Sequence, residues 1–464
     1  MNRLKTAAFS LIVALAIVGF IPSAGQAEKE VPAAMPFKGK VIIDGLDEPW
    51  AMIWGPEGKL WLTERHGKRI TEVDPKSGEK HILATIEEAY VGPQHEGLLG
   101  LALAPDFDKS GHLYLAYTYM DGNKEREKVV RLNYDAKDKK LSNPKTVIEG
   151  IPAGNDHQGG RLIFGPDGML YLSKGELGHN QMSNRCKLNE AQRLPTKEEV
   201  AAKDWTAYVG KVLRMTPDGG IPEDNPELKG VKSHVFTYGH RNPQGLVFVG
   251  DVLYSVEHGP STDDELNRLE SGGNYGWPLV AGFKDDQAYV YANWSADPAC
   301  ESYPEDLATI PDTVPQKKES EFNEPNFKEP LKTFFTVAKD YEFSDPKYAG
   351  PQSYVRWATI GPSSVDYYPE DGPIKAWRNS LLISTLKNGS LYRVPLHSDK
   401  KQVQGDVAKY FTTQNRYRQV LVAPEGDRIY LITDNGGSVV GEDGIPTDKV
   451  KNSGAVLVFE YDGK

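Results

Sequence analysis

The stretch Leu162-Ile163-Phe164-Gly165-Pro166-Asp167-Gly168-Met169-Leu170-Tyr171-Leu172 decides the fold. Two apolar runs flank a Gly-Pro-Asp-Gly turn, in which proline presets one corner and glycine accepts the left-handed one. The stretch reads as a β-hairpin. The same design recurs. Met52-Ile53-Trp54 and Leu60-Trp61-Leu62 flank Gly55-Pro56-Glu57-Gly58, and Leu101-Ala102-Leu103 precedes Pro105-Asp106 and Leu113-Tyr114-Leu115. A degraded copy runs over 246–254. A fifth joins Tyr367-Tyr368-Pro369-Glu370-Asp371-Gly372 to Leu381-Leu382-Ile383, and the sixth joins Val420-Leu421-Val422 to Ile429-Tyr430-Leu431 through Pro424-Glu425-Gly426.

Repeats of this kind are read before single motifs, because one unit cannot bury its own sheet faces. Further apolar runs, such as 212–215 and 455–459, supply a second strand pair to most units. The expected fold is all-β, a six-bladed β-propeller with long inter-strand loop insertions. The alternative is a pair of β-sandwiches. The insertions fall at 181–205 and 285–354; the second is rich in Pro, Glu, Lys and Asp and reads as surface excursions.

Within the 464 residues, Arg3 and Lys5 precede an apolar run over 7–21 that ends in Ser23-Ala24-Gly25-Gln26-Ala27. This is the pattern of a secretory signal peptide over 1–27, leaving 28–464 as a single propeller domain. The run is too short for a comfortable membrane span. A periplasmic or secreted protein is expected. A hydrophobic content of 39% supports a sizeable core, and a net charge of −11 argues against a partner bound through nucleic-acid phosphates. Cys186 and Cys300 could pair in an oxidising compartment or remain two thiols, and both readings stay open. Neither has a second cysteine nearby, which excludes a Cys-His zinc site.

Propellers carry their ligand site at one mouth of the channel, so chemistry should come from corresponding loops of different blades. Asn155-Asp156-His157-Gln158-Gly159-Gly160-Arg161 stands directly before the third hairpin. Histidine titrates nearest neutrality, so His157 is the candidate general base, the alternative being a turn residue that only hydrogen-bonds. Gly239-His240-Arg241-Asn242-Pro243-Gln244-Gly245 holds the same place before the fourth hairpin. Its arginine could bind an anion through its planar fork. Asp263-Asp264-Glu265 after Gly259-Pro260 offers hard oxygens that suit Ca²⁺, without the spacing of an EF-hand. Lys387 ends a strand of the fifth unit; Arg416 and Arg418 alternate, so both face one side of a strand in the sixth. Together with Arg241 they would form a local polyanion site.

These stretches, with Leu98-Leu99-Gly100 and 272–278, resemble the soluble quinoprotein glucose dehydrogenases within the glucose/sorbosone dehydrogenases, over about 40–464. The resemblance implies a six-bladed propeller that binds pyrroloquinoline quinone (PQQ) and Ca²⁺ and oxidises aldoses to lactones. It implies that His157 takes the anomeric proton, with Glu176 supporting it and Arg241 beside the sugar. His95, Asp156, Gln181 and Trp357 would also line the sugar site. Arg241, Asn242, Tyr354, Thr359, Lys387, Arg416 and Arg418 would hold PQQ. Carbonyls of Gly259 and Pro260 would bind one Ca²⁺; Glu265, Tyr275, Ala281, Phe283, Asp285 and Glu319 would bind another, structural one.

Three positions depart from the best-known glucose-oxidising pattern. His95 stands for a glutamine, Glu176 for an aspartate and His258 for a glutamine. The first puts the preferred sugar in doubt. Rival readings are a metal-dependent lactone hydrolase on the same kind of propeller and a non-catalytic ligand-binding propeller. The electron acceptor is unidentified, and a homodimer is compatible with the sequence.

Overall fold

The computed structural model describes residues 36–304, 310–341, 343, 354–441 and 443–463, and the backbone of 31–32 and 353. The expected signal peptide lies outside the described residues.

Six sheets form the blades, each with four antiparallel strands, and the fifth blade gains a parallel edge strand from Val31–Pro32 against Ala408–Tyr410. The innermost strands are Pro49–Trp54, Leu98–Leu103, Gly159–Phe164, Pro243–Val249, Pro362–Tyr368 and Tyr417–Val422. Each packs against the next, and the last packs against the first, closing a ring. Closure rules out the paired sandwiches. All six repeats seen in the sequence become the two inner strands of a blade, and they do so for the expected reason. In the third blade Gly165 N donates to Met169 O at 2.9 Å and Gly168 takes φ +74°.

The sixth blade is composite. Its outermost strand is the N-terminal Phe37–Ile43, paired antiparallel with Val456–Tyr461, so the two ends of the chain are stitched into one sheet. One apolar cluster fills each gap between blades. Tyr114, Leu162, Leu172 and Leu213 join blades two and three. Met52, Leu62, Tyr430 and Val456 join blades six and one across the closure. Truncating one such leucine to alanine costs about 2–5 kcal/mol.

The channel is not open from end to end. Arg161, from the third blade, extends across it and is only 5% exposed. Its guanidinium donates to Gln244 O at 3.0 Å, to Gln419 Oε1 at 2.6 Å and to Ser363 O at 3.4 Å, and stacks 4.4 Å from the Trp50 ring. It thereby touches all three following blades and the first. Below it lies a cavity of about 430 Å³ lined by both apolar strands and polar groups, Asp366 and Gln419 among them, on the side of the hairpin turns. Arg161 closes the stretch that holds His157 in sequence, but its contacts belong to the channel axis.

The first insertion leaves the third blade after Lys174 and returns at Lys211, carrying a short helix, Lys197–Ala202, capped by Thr196. The second leaves the fourth blade after Leu269. Here the structure differs from the expectation of one excursion over 285–354. The outer strand of the fourth blade, Lys332–Phe334, lies inside that range, and three residues among Pro and Lys give no readable period. Cys186 and Cys300 form a disulfide that ties the two insertions together.

Candidate active site

Loops entering the inner strands and turns leaving the second strands meet at the mouth above Arg161. His157 occupies the entrance to the third blade in a left-handed conformation, φ +42°, which costs a non-glycine residue energy and is held by its surroundings. Its N–H donates to Asp156 Oδ1 at 2.8 Å, and its carbonyl accepts from Leu177 N at 3.3 Å. Gly175 is required there, since a Cβ would run into the His157 carbonyl.

The imidazole is buried, and its Nδ1 lies 2.6 Å from Glu176 Oε1. Which atom carries the hydrogen follows from the next shell. Arg241 has donors only, and its Nε and Nη2 both reach Gln181 Oε1, at 2.9 and 2.7 Å. The Gln181 amide is thereby oriented, and its Nε2 donates to Glu176 Oε1 at 2.9 Å. That oxygen is an acceptor, so the hydrogen between it and the ring belongs to Nδ1. Nε2 is left with a lone pair. Burial, then Arg241 and the rings of His95 and His258, lower the His157 pKa well below its ordinary value. Burial pushes Glu176 up, and Arg241 opposes it.

His95 and Asp156, expected on the sugar side, stand beside the base. His95 Nε2 lies 3.8 Å from Asp156 Oδ1, and the same oxygen lies 3.5 Å from His157 Nε2. The Arg241 guanidinium stacks 5.3 Å from Trp277 and donates to His258 O at 3.1 Å. Asn242 Oδ1 accepts from Gly159 N at 3.2 Å, joining the entrances of blades three and four.

Across the mouth, Lys387 Nζ donates to Trp357 O at 3.0 Å and to Thr359 Oγ1 at 2.6 Å. Tyr354, 45% exposed, sits in the adjoining 3-10 turn. Burial pushes the Lys387 amine down to about 7, against the attraction of Asp264. Arg416 and Arg418 do face one side, as their alternation requires, and they share Asp434. Arg418 reaches both of its oxygens at 2.8 Å, and Arg416 Nε reaches Oδ2 at 3.2 Å.

The family model described as Glucose / Sorbosone dehydrogenase matches residues 46–302 and 335–441. Quinoprotein glucose dehydrogenase B of Acinetobacter calcoaceticus is 40% identical over 442 residues, 92% of each chain. The chain belongs to the glucose/sorbosone dehydrogenase family. Aldose sugar dehydrogenase YliI of Escherichia coli strain K12 is 33% identical over 264 residues, 54% of this chain and 65% of that one. The structure of the PQQ-bound form of aldose sugar dehydrogenase from Streptomyces coelicolor matches with a TM-score of 0.61 at 28% identity, over 92% of this chain and 99% of that one.

Among the described residues no three acidic or histidine side chains come together as a metal site, and the carboxylates expected at the family's calcium positions are tied to backbone N–H groups. Gly259 N donates to Asp264 Oδ1 at 2.9 Å, and Asp264 Oδ2 accepts from Ile360 N and Gly361 N at 2.6 and 2.8 Å. Asp264 so fastens the Gly259-Pro260 turn to the entrance of blade five. Glu265 Oε1 accepts from Gly282 N at 2.7 Å, and Glu319 accepts from Ala281 N and Asp286 N, both at 3.0 Å. The loop between them carries Phe283 and Asp285. The Tyr275 hydroxyl is committed to Arg268 O at 2.6 Å, so only its backbone carbonyl is a candidate ligand.

Sequence reasoning missed Asp434, the orienting role of Gln181, and the pair Glu48 and Arg65, 3.8 Å apart. A signal for the first existed within the repeat. Glu64, Glu176, Glu257 and Asp434 all stand at or just past the end of a second strand, where the turn rises to the mouth.

Proposed function

We propose that this member of the family is an exported, PQQ- and Ca²⁺-dependent aldose dehydrogenase that oxidises the C1 hydroxyl of a sugar to a lactone. The observation that carries the reading is the His157 ring, held with Nδ1–H on Glu176 and with the Nε2 lone pair beyond hydrogen-bond length of its nearest partner, Asp156 Oδ1 at 3.5 Å. A neutral, oriented imidazole is what general-base removal of a hydroxyl proton requires.

The residues present fit both groups. PQQ is a flat tricarboxylate, and Arg241, Lys387, Arg416 and Arg418 offer cations from three blades. The buried ring nitrogens Trp277 Nε1, Trp357 Nε1 and His258 Nε2 have no hydrogen-bond partner among the described residues. Buried polar atoms are rarely left so without a reason. Asn242, Tyr354 and Thr359 would complete the cradle. Bound PQQ supplies the two-electron acceptor for the C1 hydride.

Around Glu265, burial and neighbouring acids raise several carboxyls, with Glu319 pushed up to about 7 and Asp263 to about 6. Carboxylates gathered against their own repulsion suit a hard divalent cation. Carbonyls of Gly259 and Pro260 would hold the Ca²⁺ nearer the reaction, where a cation acts as a Lewis acid.

The chain's own part is to bind, orient and deprotonate. Arg241 and Asp156 flank the base and would position the sugar hydroxyl, and His157 Nε2 accepts its proton. Glu176 stabilises the imidazolium that forms, and Gln181 keeps Glu176 in place. A lactone hydrolase needs several carboxylates at the channel centre, where this chain carries Arg161, Gln419 and Asp366, the last held by Val422 N and Tyr367 N. The Cys186–Cys300 disulfide supports export, since such bonds persist in oxidising compartments.

The test is reconstitution. Purified protein loaded with PQQ and Ca²⁺ should reduce an artificial electron acceptor when given an aldose. No turnover across a broad sugar panel overturns the reading. His157→Ala should retain PQQ binding and lose most turnover.

A further inference from the structure

A buried base must discharge its proton after every turnover. His157 is 7% exposed, and its Nδ1 faces Glu176, which is 0% exposed. Beyond Glu176 stand the Gln181 and Asn189 amides, which hold hydrogens but do not pass protons on. The imidazolium also faces the Arg241 cation, which disfavours its persistence.

On the Nε2 side the chain offers an exit. Asp156 Oδ1 lies between two imidazoles, 3.5 Å from His157 Nε2 and 3.8 Å from His95 Nε2. Side-chain exposure rises along this line, from 9% at His157 to 28% at Asp156 and 38% at His95. From this geometry we propose that His95 is the proton outlet of His157, fed through the carboxylate of Asp156. The inference rests on the dehydrogenase reading above and adds a role for a residue in which this chain departs from the glutamine expected by resemblance.

Both gaps exceed hydrogen-bond length, so the carboxylate works as a shuttle that closes one contact at a time. Asp156 Oδ1 also accepts the His157 N–H at 2.8 Å, so the carboxylate closes each contact by turning about that bond, and such contacts often tighten only when substrate is present. The relay carries the hydroxyl proton alone. It leaves the sugar oxygen for His157 Nε2, passes to Asp156 Oδ1 and then to His95 Nε2, and ends on water or buffer. No further co-reactant is needed. Asp156, Arg418, Arg65 and Glu96 act on the His95 ring, with His157 and His258 beside it. Its partial burial, then the two arginines, outweigh the acids and lower its pKa, so it passes the proton on. His95 is thus a positioning residue for the proton. A glutamine there could touch a sugar but could not relay.

The experiment compares wild type with His95→Gln, both loaded with PQQ and Ca²⁺, in weak buffer at saturating sugar and acceptor. The variant should lose about 10-fold or more in kcat. Added imidazole should restore it while leaving wild type unchanged. An unchanged kcat, or a loss that imidazole does not restore, overturns the relay. A second readout needs no cofactor. Histidine ring signals of the cofactor-free protein should show His95 and His157 titrating as a coupled pair, reduced to a single step in His95→Gln. Independent titration of the two rings overturns the proposal. Wild type without any aldose turnover would instead sink the dehydrogenase reading, and the coupled titration would still decide the proton path.

Discussion

Glu176 Oε1 accepts the Nδ1 hydrogen of His157 at 2.6 Å, and this contact sets which nitrogen is free to act as base. Glu176→Ala should lower kcat by about 100-fold or more while sugar affinity changes little. Glu176→Asp withdraws the oxygen by one methylene and should fall between wild type and alanine. Steady-state kinetics with one aldose checks both, and wild-type kcat in the alanine variant would remove Glu176 from the mechanism.

The same contact predicts a pH profile. His157 works when neutral, and burial with Arg241 lowers its pKa. As pH falls, the Nε2 lone pair is lost only on passing through that lowered value. The acid limb of kcat/KM should therefore lie below the ordinary histidine value of 6.5. A limb above it would show that another group governs activity.

Metal removal should make stability depend on pH in a specific direction. Glu319 has a folded-state pKa raised to about 7 and Asp263 one raised to about 6. A carboxyl raised on folding contributes stability below its unfolded value and loses it as pH rises through the folded one. Chelated protein should therefore lose melting temperature between about pH 4 and pH 7. Added Ca²⁺ should restore it at the upper end. A metal-free protein whose melting is flat over this window would contradict the cluster's role.

Asp434 is the shared counter-ion of Arg416 and Arg418, and it is 4% exposed. Asp434→Ala leaves two guanidinium groups facing each other, and removing one partner of a buried pair costs about 3–5 kcal/mol. Cofactor-free protein should melt markedly lower, and PQQ should recover more melting temperature in the variant than in wild type. Equal PQQ shifts would mean that the two arginines do not meet the cofactor's carboxylates.

The disulfide offers a check that leaves the chemistry alone. Cys186→Ser with Cys300→Ser should lower stability by about 2–4 kcal/mol. Identical melting of variant and wild type under oxidising conditions would contradict a load on this bond.

The inner half of every blade was legible because a short turn between apolar runs, usually built on proline with an acid, is a local signal, and even the degraded fourth copy keeps its apolar runs. Outer strands were not. Lys140–Pro152 is largely exposed and polar, and Phe37–Ile43 finds its partner only at the far end of the chain. In the site, His157, Arg241, Lys387 and Arg418 were legible by matching places in the repeat. The role of Gln181 was not, because it depends on a contact across 60 residues that no local pattern encodes, and the repeat marks the position of Asp434 but not the two arginines it joins. The cysteine pairing stayed open for the same reason, since the bond closes over a separation of 114 residues.

Arg161 gives the molecule the form of a cup rather than a pipe. With its guanidinium spanning the axis, traffic to the base has one doorway. In the proposed dehydrogenase a sugar and a diffusible oxidant would share that doorway, a constraint set by a residue that meets neither of them.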